Sequence, residues 1–265
     1  MKEPTIIVCI KQVPDPEGPN SAFEIDSEAR VVTPRGIPPV MNTFDANGLE
    51  AALQLKDKLG GEVIAINMVD DKLAMPVLKK ALAAGADELI ILKDEGFVGL
   101  DPFSTASVLA AAIKQIDGYS LILVGRQSGD WGSGQVGPVL AEILQIPSVG
   151  VAQRVNIEEE NIIVERLKRT GHEILKVRMP ALIAMDSEVE LRLPTLKDIK
   201  DANNKPVTTW NVSDLAIDPG KLKKRQVYQL SQPPSRKRHC FLVDGETVQE
   251  KGENLAVKLR ADRVI

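Results

Sequence analysis

The sequence predicts an α/β fold: a doubly wound, mostly parallel sheet with an antiparallel extension and a long C-terminal wrapping arm. Three observations predict it. Short β-branched runs alternate with helical patterns through the first half of the chain, four consecutive strand-like runs follow Pro147, and from about Pro194 the chain becomes polar and linker-like. Alternation of this kind implies βαβ units, right-handed crossovers and helices on both faces of the sheet. The expected division is an α/β domain over residues 1–193 and an appended segment over 194–265.

The elements follow in order. Ile6 to Ile10 is continuously apolar, as a strand buried in a parallel sheet must be. Phe23 to Val32 reads as a hairpin turning at Asp26-Ser27. Asn42 or Thr43 can cap the next helix, whose apolar face includes Leu49, Leu53 and Leu55. Strand Val63–Asn67, helix Lys72–Ala84, strand Glu88–Leu92, helix Pro102–Ile116 and strand Leu121–Val124 repeat the pattern. Asp101 before Pro102 is a standard cap with proline at the first helical position. The runs Val149–Val155, Ile162–Lys168, Glu173–Arg178 and Ala181–Met185 then read as strands. Turns at Glu160-Asn161 and Thr170-Gly171 separate the first three, which suggests antiparallel pairing. Beyond Pro194 come a short helix (Leu196–Ala202), basic clusters at 221–225 and 236–238, and an amphipathic helix over Thr247–Arg260. A segment with so little core of its own wraps a partner or is disordered. The basic clusters fit a solvated linker better than an acidic or nucleic-acid partner.

The most informative stretch runs from Leu121 to Pro138. An apolar strand breaks into a loop containing Gly125, Gly129, Gly132 and Gly134, and the loop opens a helix with apolar Val139, Leu140, Ile143 and Leu144. Glycines let backbone N–H groups approach a ligand, and a helix start adds unpaired donors and the positive end of a dipole. Together they suit a phosphate or pyrophosphate. Gly132-Ser-Gly134-Gln-Val-Gly137 also matches GxGxxG, with Glu158 about twenty residues on. That dinucleotide fingerprint belongs in the first βα turn, whereas this loop follows a later strand, and Glu158 sits in a polar turn. In doubly wound sheets, ligands bind beyond the carboxyl ends of the strands. Those ends carry Lys11 and Gln12, Asn67 and Met68, Lys93 and Asp94, and the glycine loop itself.

Composition narrows the classes. Aromatics are only 3%, so Val, Ile, Leu and Ala must build the core, and a net charge of −4 gives no support for a nucleic-acid binder. No apolar run reaches the ~20 residues of a membrane span, and the N-terminus lacks a secretory apolar segment. Two cysteines, Cys9 and Cys240, are too few for a disulfide scaffold. A cytoplasmic protein is expected. His172 and His239 show no metal-site spacing, and Asp70-Asp71 and Lys93-Asp94 read as solvated loop charges. No Ser-His-Asp or Cys-His arrangement is visible, so no catalytic residue is expected. Trp131, within the glycine loop, reads equally as a stacking group or a hydrophobic lid.

The loop is similar to that of the β (small) subunit of electron-transfer flavoproteins, the EtfB/FixA family. The resemblance rests on Gly125-Arg-Gln-Ser-Gly-Asp130 followed by Gln135-Val-Gly-Pro138, and it covers nearly the whole chain. Ile7–Pro14, Met41–Asp45 with Leu49–Lys56, Ala81–Asp87 and Leu193–Ile199 resemble further family segments in the expected order. Departures include Gly132 where many members have a second Asp, and Thr43 in place of Pro. The resemblance implies adenine-nucleotide contacts at Cys9, Asn42, Met68, Gly125, Gln127, Asp130, Ser133, Gly134, Gln135 and Val136. Cys9 and Met68 would act through backbone groups, Asn42 by offering a donor and an acceptor to the base or ribose, and Ser133 to Val136 by holding phosphates. It implies FAD, or AMP as the alternative, with NADH as a candidate electron donor. The expected partners are an α subunit, embraced by the C-terminal arm, and an acyl-CoA or other flavin dehydrogenase recognised through Leu196. The Gly-Arg-Gln…Gln-Val-Gly-Pro form and the tail Leu259–Ile265 look more like the electron-bifurcating kind. Rival readings are a stand-alone adenine-nucleotide module of the stress-protein type, or a nicotinamide-dependent dehydrogenase.

Overall fold

The computed structural model describes residues 3–69, 73–187, 189–232 and 240–265. Asp70-Asp71, the expected helix start at Lys72, the basic cluster 236–238 and His239 lie outside the described residues. The chain forms two compact bodies, Met1–Gln229 and Leu230–Ile265.

In the first body, β1 (Thr5–Cys9) lies in the interior of a nine-stranded mixed sheet. β2 (Gln12–Pro14) pairs with β5 (Pro39–Met41), and β3 (Phe23–Asp26) with β4 (Val31–Pro34), as two small antiparallel sheets. The β3–β4 hairpin turns later than expected, because Asp26 Oδ1 accepts from the amides of Glu28 and Ala29 and Arg30 takes a left-handed φ of 56°. Helix α1 (Thr43–Leu59) leads to β6 (Glu62–Met68), α2 (Met75–Ala84) to β7 (Glu88–Leu92), and α3 (Pro102–Ile113) to β8 (Tyr119–Gly125). Asp101 caps α3 as expected, accepting from the Ser104 amide at 2.7 Å.

Helix α4 (Val136–Leu144) leads into β9 (Ser148–Glu158), followed by β10 (Asn161–Lys168), β11 (Gly171–Arg178) and β12 (Ala181–Met185). The expected antiparallel extension is β9–β10–β11. β12 does not extend it. This strand, buried at every residue, inserts parallel between β8 and β9. After α5 (Leu196–Asp201), β13 (Val207–Trp210) adds a parallel edge strand beside β7, so part of the region read as linker completes the sheet.

The order is β11-β10-β9-β12-β8-β1-β6-β7-β13. The chain winds from β1 through β6 to β7, then returns to the other side of β1 with β8. One face carries Leu49, Leu53, Leu78 and Leu82 of α1 and α2 against Ile6, Val8, Val63 and Ala65. The other carries Leu109, Ile113 and Leu140 of α3 and α4 against Ile7, Ile66 and Ile122. Alternate residues of each strand serve opposite faces, which is why these strands read as unbroken apolar runs.

In the second body, α6 (Val248–Ala261) is capped by Thr247, whose hydroxyl accepts from the Glu250 amide, and Lys258 lies over the Phe241 ring. No helix among the described residues is long and apolar enough to cross a membrane.

Candidate functional site

A cavity of about 210 Å³ opens beyond the carboxyl ends of β1, β6 and β8, where the strand order reverses. Ile66, Leu100, Leu109 and Val124 give it apolar walls, and Lys11, Asp45, Arg126 and Arg225 its charged lining. Crevices at such switch points are where doubly wound sheets take ligands.

The loop after β8 owes its shape to its glycines. A Cβ on Gly125 would lie 2.3 Å from Asp45 Oδ1. Gly132 and Gly134 hold left-handed φ values of 62° and 61°, which side chains adopt only with strain. A Cβ on Gly137 would approach Val124 Cγ2 to 3.0 Å, so this glycine lets α4 lie close on β8. The first amides of α4 have no partner within the helix, and they and the dipole lie at the loop's end. The arrangement can receive an anion.

Three polar struts hold the loop. Asn42 is buried and spans it, donating from Nδ2 to the Gln127 carbonyl (2.9 Å) and accepting at Oδ1 from the Gly129 amide (3.0 Å). It occupies the N-cap position of α1, yet its side chain makes no cap bond, because the loop takes both its polar atoms. Asp45 accepts from the Lys11 amide at 2.8 Å and the Gly125 amide at 3.0 Å, tying the ends of β1 and β8 to α1. Burial pushes its carboxyl up to about 7, against the opposing hydrogen bonds from Asn42, Lys11 and Gly125. Lys11 Nζ reaches Asp130 at 2.6 Å. Burial opposes ionisation of Asp130, but the Lys11 charge and hydrogen bonds outweigh it and hold the carboxyl below its ordinary value.

Of the residues read from the sequence, Cys9, Met68, Gly125, Gln127, Ser133, Gly134, Gln135 and Val136 line the cavity together. Asn42 and Asp130 are not lining residues; they brace the loop instead. Burial, and then the nearby Asp45 charge, push the Cys9 thiol up to about 12, so it presents a neutral side chain. Trp131 lines the cavity, and the Arg225 guanidinium lies 4.1 Å from its ring centre. Arg126 lies over Phe44 at 4.8 Å and pairs with Asp186 at 3.0 Å.

Sequence reading did not place Asp45, Arg126, Thr105 or Arg225 in the site. Asp45 and Arg126 stood inside quoted motifs, so position in the motif was their only signal. Arg225 belongs to the basic cluster read as solvated linker, and that reading is corrected here. Its segment is stitched to the start of α3: the Lys223 amide donates to Ser104 Oγ (2.7 Å) and the Arg225 amide to the Gly99 carbonyl (2.8 Å).

Leu196 stands apart from this cavity, on α5, which packs beside α2; it is 88% exposed. Thr195 and Asp198 form a capping box that starts α5. Arg192 anchors the approach, forking onto Glu50 with two bonds of 2.9 Å and reaching Asp57 at 2.8 Å. His172 pairs with Glu165 across β10 and β11, a surface strand position as read.

Fold and site together define a doubly wound α/β protein with a glycine-loop cavity at its switch point. Residues 30–215 match the electron transfer flavoprotein domain, and the chain belongs to this family, on its β-subunit/FixA branch. It is similar to caffeyl-CoA reductase-Etf complex subunit CarD of Acetobacterium woodii, 34% identical over 98% of this chain and 99% of that one. It is also similar to electron transfer flavoprotein subunit beta of Thermoanaerobacterium thermosaccharolyticum, at 35% with the same coverage. Protein FixA of Azorhizobium caulinodans is 33% identical over 80% of this chain and 77% of its own. These matches favour an electron-transfer flavoprotein role over the stress-protein and nicotinamide-dehydrogenase readings.

Proposed function

We propose that this chain is the β subunit of an electron-transfer flavoprotein and that its cavity binds an adenine nucleotide, FAD or alternatively AMP. The observation that carries the reading is the braced glycine loop, which ends at the start of α4 on the rim of a switch-point cavity. Apolar walls suit the adenine ring. The N–H groups of residues 133–136, with the Ser133 hydroxyl, suit the phosphates. The left-handed φ of Gly132 and Gly134 is the fit a close phosphate asks of the backbone.

A bound flavin supplies one- and two-electron transfer; this chain contributes binding, orientation and local electrostatics. Lys11 and Arg126 offset phosphate charge. Asp45 and Asn42 hold the loop in register, so little reorganisation accompanies binding.

On this reading residues 1–193, joined by β13 and by Arg225 of the cavity lining, are the nucleotide-binding part, and the rest of residues 194–265 recognises partners. The C-terminal arm embraces an α subunit carrying a flavin, and Leu196 docks an acyl-CoA or other flavin dehydrogenase in the cytoplasm. With FAD here, NADH would be the electron donor to a bifurcating pair. The loop form and tail support that version, and the name of the Acetobacterium relative, a reductase–Etf complex subunit, is compatible with it.

The test is to purify the native complex, denature it and quantify what is released. Two flavins per heterodimer support the bifurcating version, and one flavin with one AMP the simple carrier. An absence of any adenine nucleotide beyond the α-subunit flavin sinks the proposal.

A further inference from the structure

We infer that Trp131 closes the mouth of the cavity over a bound nucleotide, and that Asp130, latched by Lys11, is the positioning residue that holds it there. The inference rests on the nucleotide-binding reading above and deepens it by naming what retains the ligand. Of the two roles the sequence leaves open for Trp131, a stacking group or a hydrophobic lid, it selects the lid.

Trp131 is the one aromatic side chain among the described residues that line the cavity, and it is still 47% exposed. A lining residue half open to water sits at the mouth. The Arg225 guanidinium lies on its ring, 4.1 Å from the centre, and Arg225 lines the cavity as well. Arg225 comes from the opposite wall. Its amide donates to the Gly99 carbonyl and the Lys223 amide to Ser104 Oγ, which places this segment against the start of α3. The contact of Trp131 with Arg225 therefore spans the opening, from the glycine loop on one side to α3 on the other.

The turn that carries Trp131 is fastened at three points. The Gly132 amide donates back to the Ser128 carbonyl at 2.9 Å, closing residues 128–132 into a single turn. The Gly129 amide is held by Asn42. Asp130 makes the third link: Oδ1 accepts from the Trp131 amide at 2.9 Å and Oδ2 from Lys11 Nζ at 2.6 Å. Lys11 is a firm anchor, since its amide donates to Asp45 and its carbonyl accepts from the Asn42 amide, both at 2.8 Å. Asp130 is not itself a lining residue, so it acts on a ligand through Trp131. Fastening the turn before binding lowers the ordering cost of a closed lid. An indole over the mouth covers apolar ligand surface and keeps water from it.

The experiment follows release of radiolabelled AMP from the full-length protein in its native complex, reloaded after nucleotide removal. Asp130→Asn and Trp131→Ala should each speed release about tenfold, a change that falls mainly on dissociation. The double variant should release AMP no faster than Trp131→Ala alone, because the latch acts only through the lid. Charge by itself predicts the reverse sign for Asp130→Asn, since removing a carboxylate near an anion site would slow the loss of AMP. Acrylamide quenching of tryptophan emission should rise in Asp130→Asn, and that rise should vanish on the Trp131→Ala background. Trp131→Phe keeps a ring at the mouth and should release AMP nearly as slowly as wild type; release as fast as from Trp131→Ala would remove the lid. Unchanged or slower release from Asp130→Asn, or effects that multiply in the double variant, overturns the inference while leaving the nucleotide site standing. Wild-type protein that binds no AMP overturns the site and the inference together.

Discussion

Helix α1 braces two regions in opposite ways, the proposed nucleotide loop and the proposed docking segment. At its N-terminus, Asn42 and Asp45 bind backbone amides and a carbonyl of β1 and the glycine loop. One turn further, Asn47 donates to the Val189 carbonyl and Glu50 takes the Arg192 fork. The first brace shapes a loop inward, so that backbone donors meet at a cavity. The second pins a segment at its root and leaves Leu193 and Leu196 beyond it 93% and 88% exposed. The contrast matches the two proposed roles: small-molecule binding wants a preorganised backbone, and docking wants an apolar side chain held out from a fixed base.

The largest stability effect should come from the second brace. Arg192→Met leaves the Glu50 carboxylate buried without its fork, a loss on the order of 3 kcal/mol. The melting temperature should fall by roughly 6–12 °C for a chain of this size, with nucleotide content unchanged. A fall in nucleotide content to match would mean that the two braces are one unit.

Asp45→Asn comes next, at about 1–3 kcal/mol, because an amide cannot accept from both the Lys11 and Gly125 N–H groups as a carboxyl does. It also carries a pH signature. The native carboxyl lies near 7 and an unfolded aspartate near 3.9, so the native state binds the extra proton between them. The contribution is therefore fully present below about pH 4 and lost as pH rises through 7. Denaturant melts across this window should show wild-type stability declining relative to the Asn variant; a constant difference would refute the assignment.

Gly134→Val forces a β-branched residue to a φ of 61°, about 1–3 kcal/mol of backbone strain, although the nearest atom to its Cβ, the Arg126 carbonyl oxygen, is 3.4 Å away. The nucleotide should be lost out of proportion to the modest drop in stability. Full nucleotide occupancy in this variant would remove the phosphates from the loop. Smallest in stability is Leu196→Ala, within about 0.5 kcal/mol for so exposed a side chain. Electron transfer to the partner dehydrogenase should weaken while nucleotide content stays constant; unchanged transfer would end the docking assignment.

The doubly wound core was legible because its signals are local. Apolar runs of five to seven residues, the Asp101-Pro102 helix start and the glycine loop each announce themselves within a short window. The ligand-binding edge followed from strand direction alone, and eight of ten expected contact residues do line one cavity. The capping role expected of Asn42 failed for a reason no local window holds, since the loop that takes its side chain lies 85 residues away.

By itself, then, the sequence determined the alternation of elements, the apolar faces and the conformations that only glycine takes easily, all of which depend on neighbours in the chain. Tertiary structure alone decided the placement of β12 between β8 and β9, the capture of Val207–Trp210 as an edge strand, and the arrival of Arg225 on Trp131. Each of these is a pairing across long sequence separations, chosen by which backbone edges and buried surfaces remain to be satisfied once the core has formed.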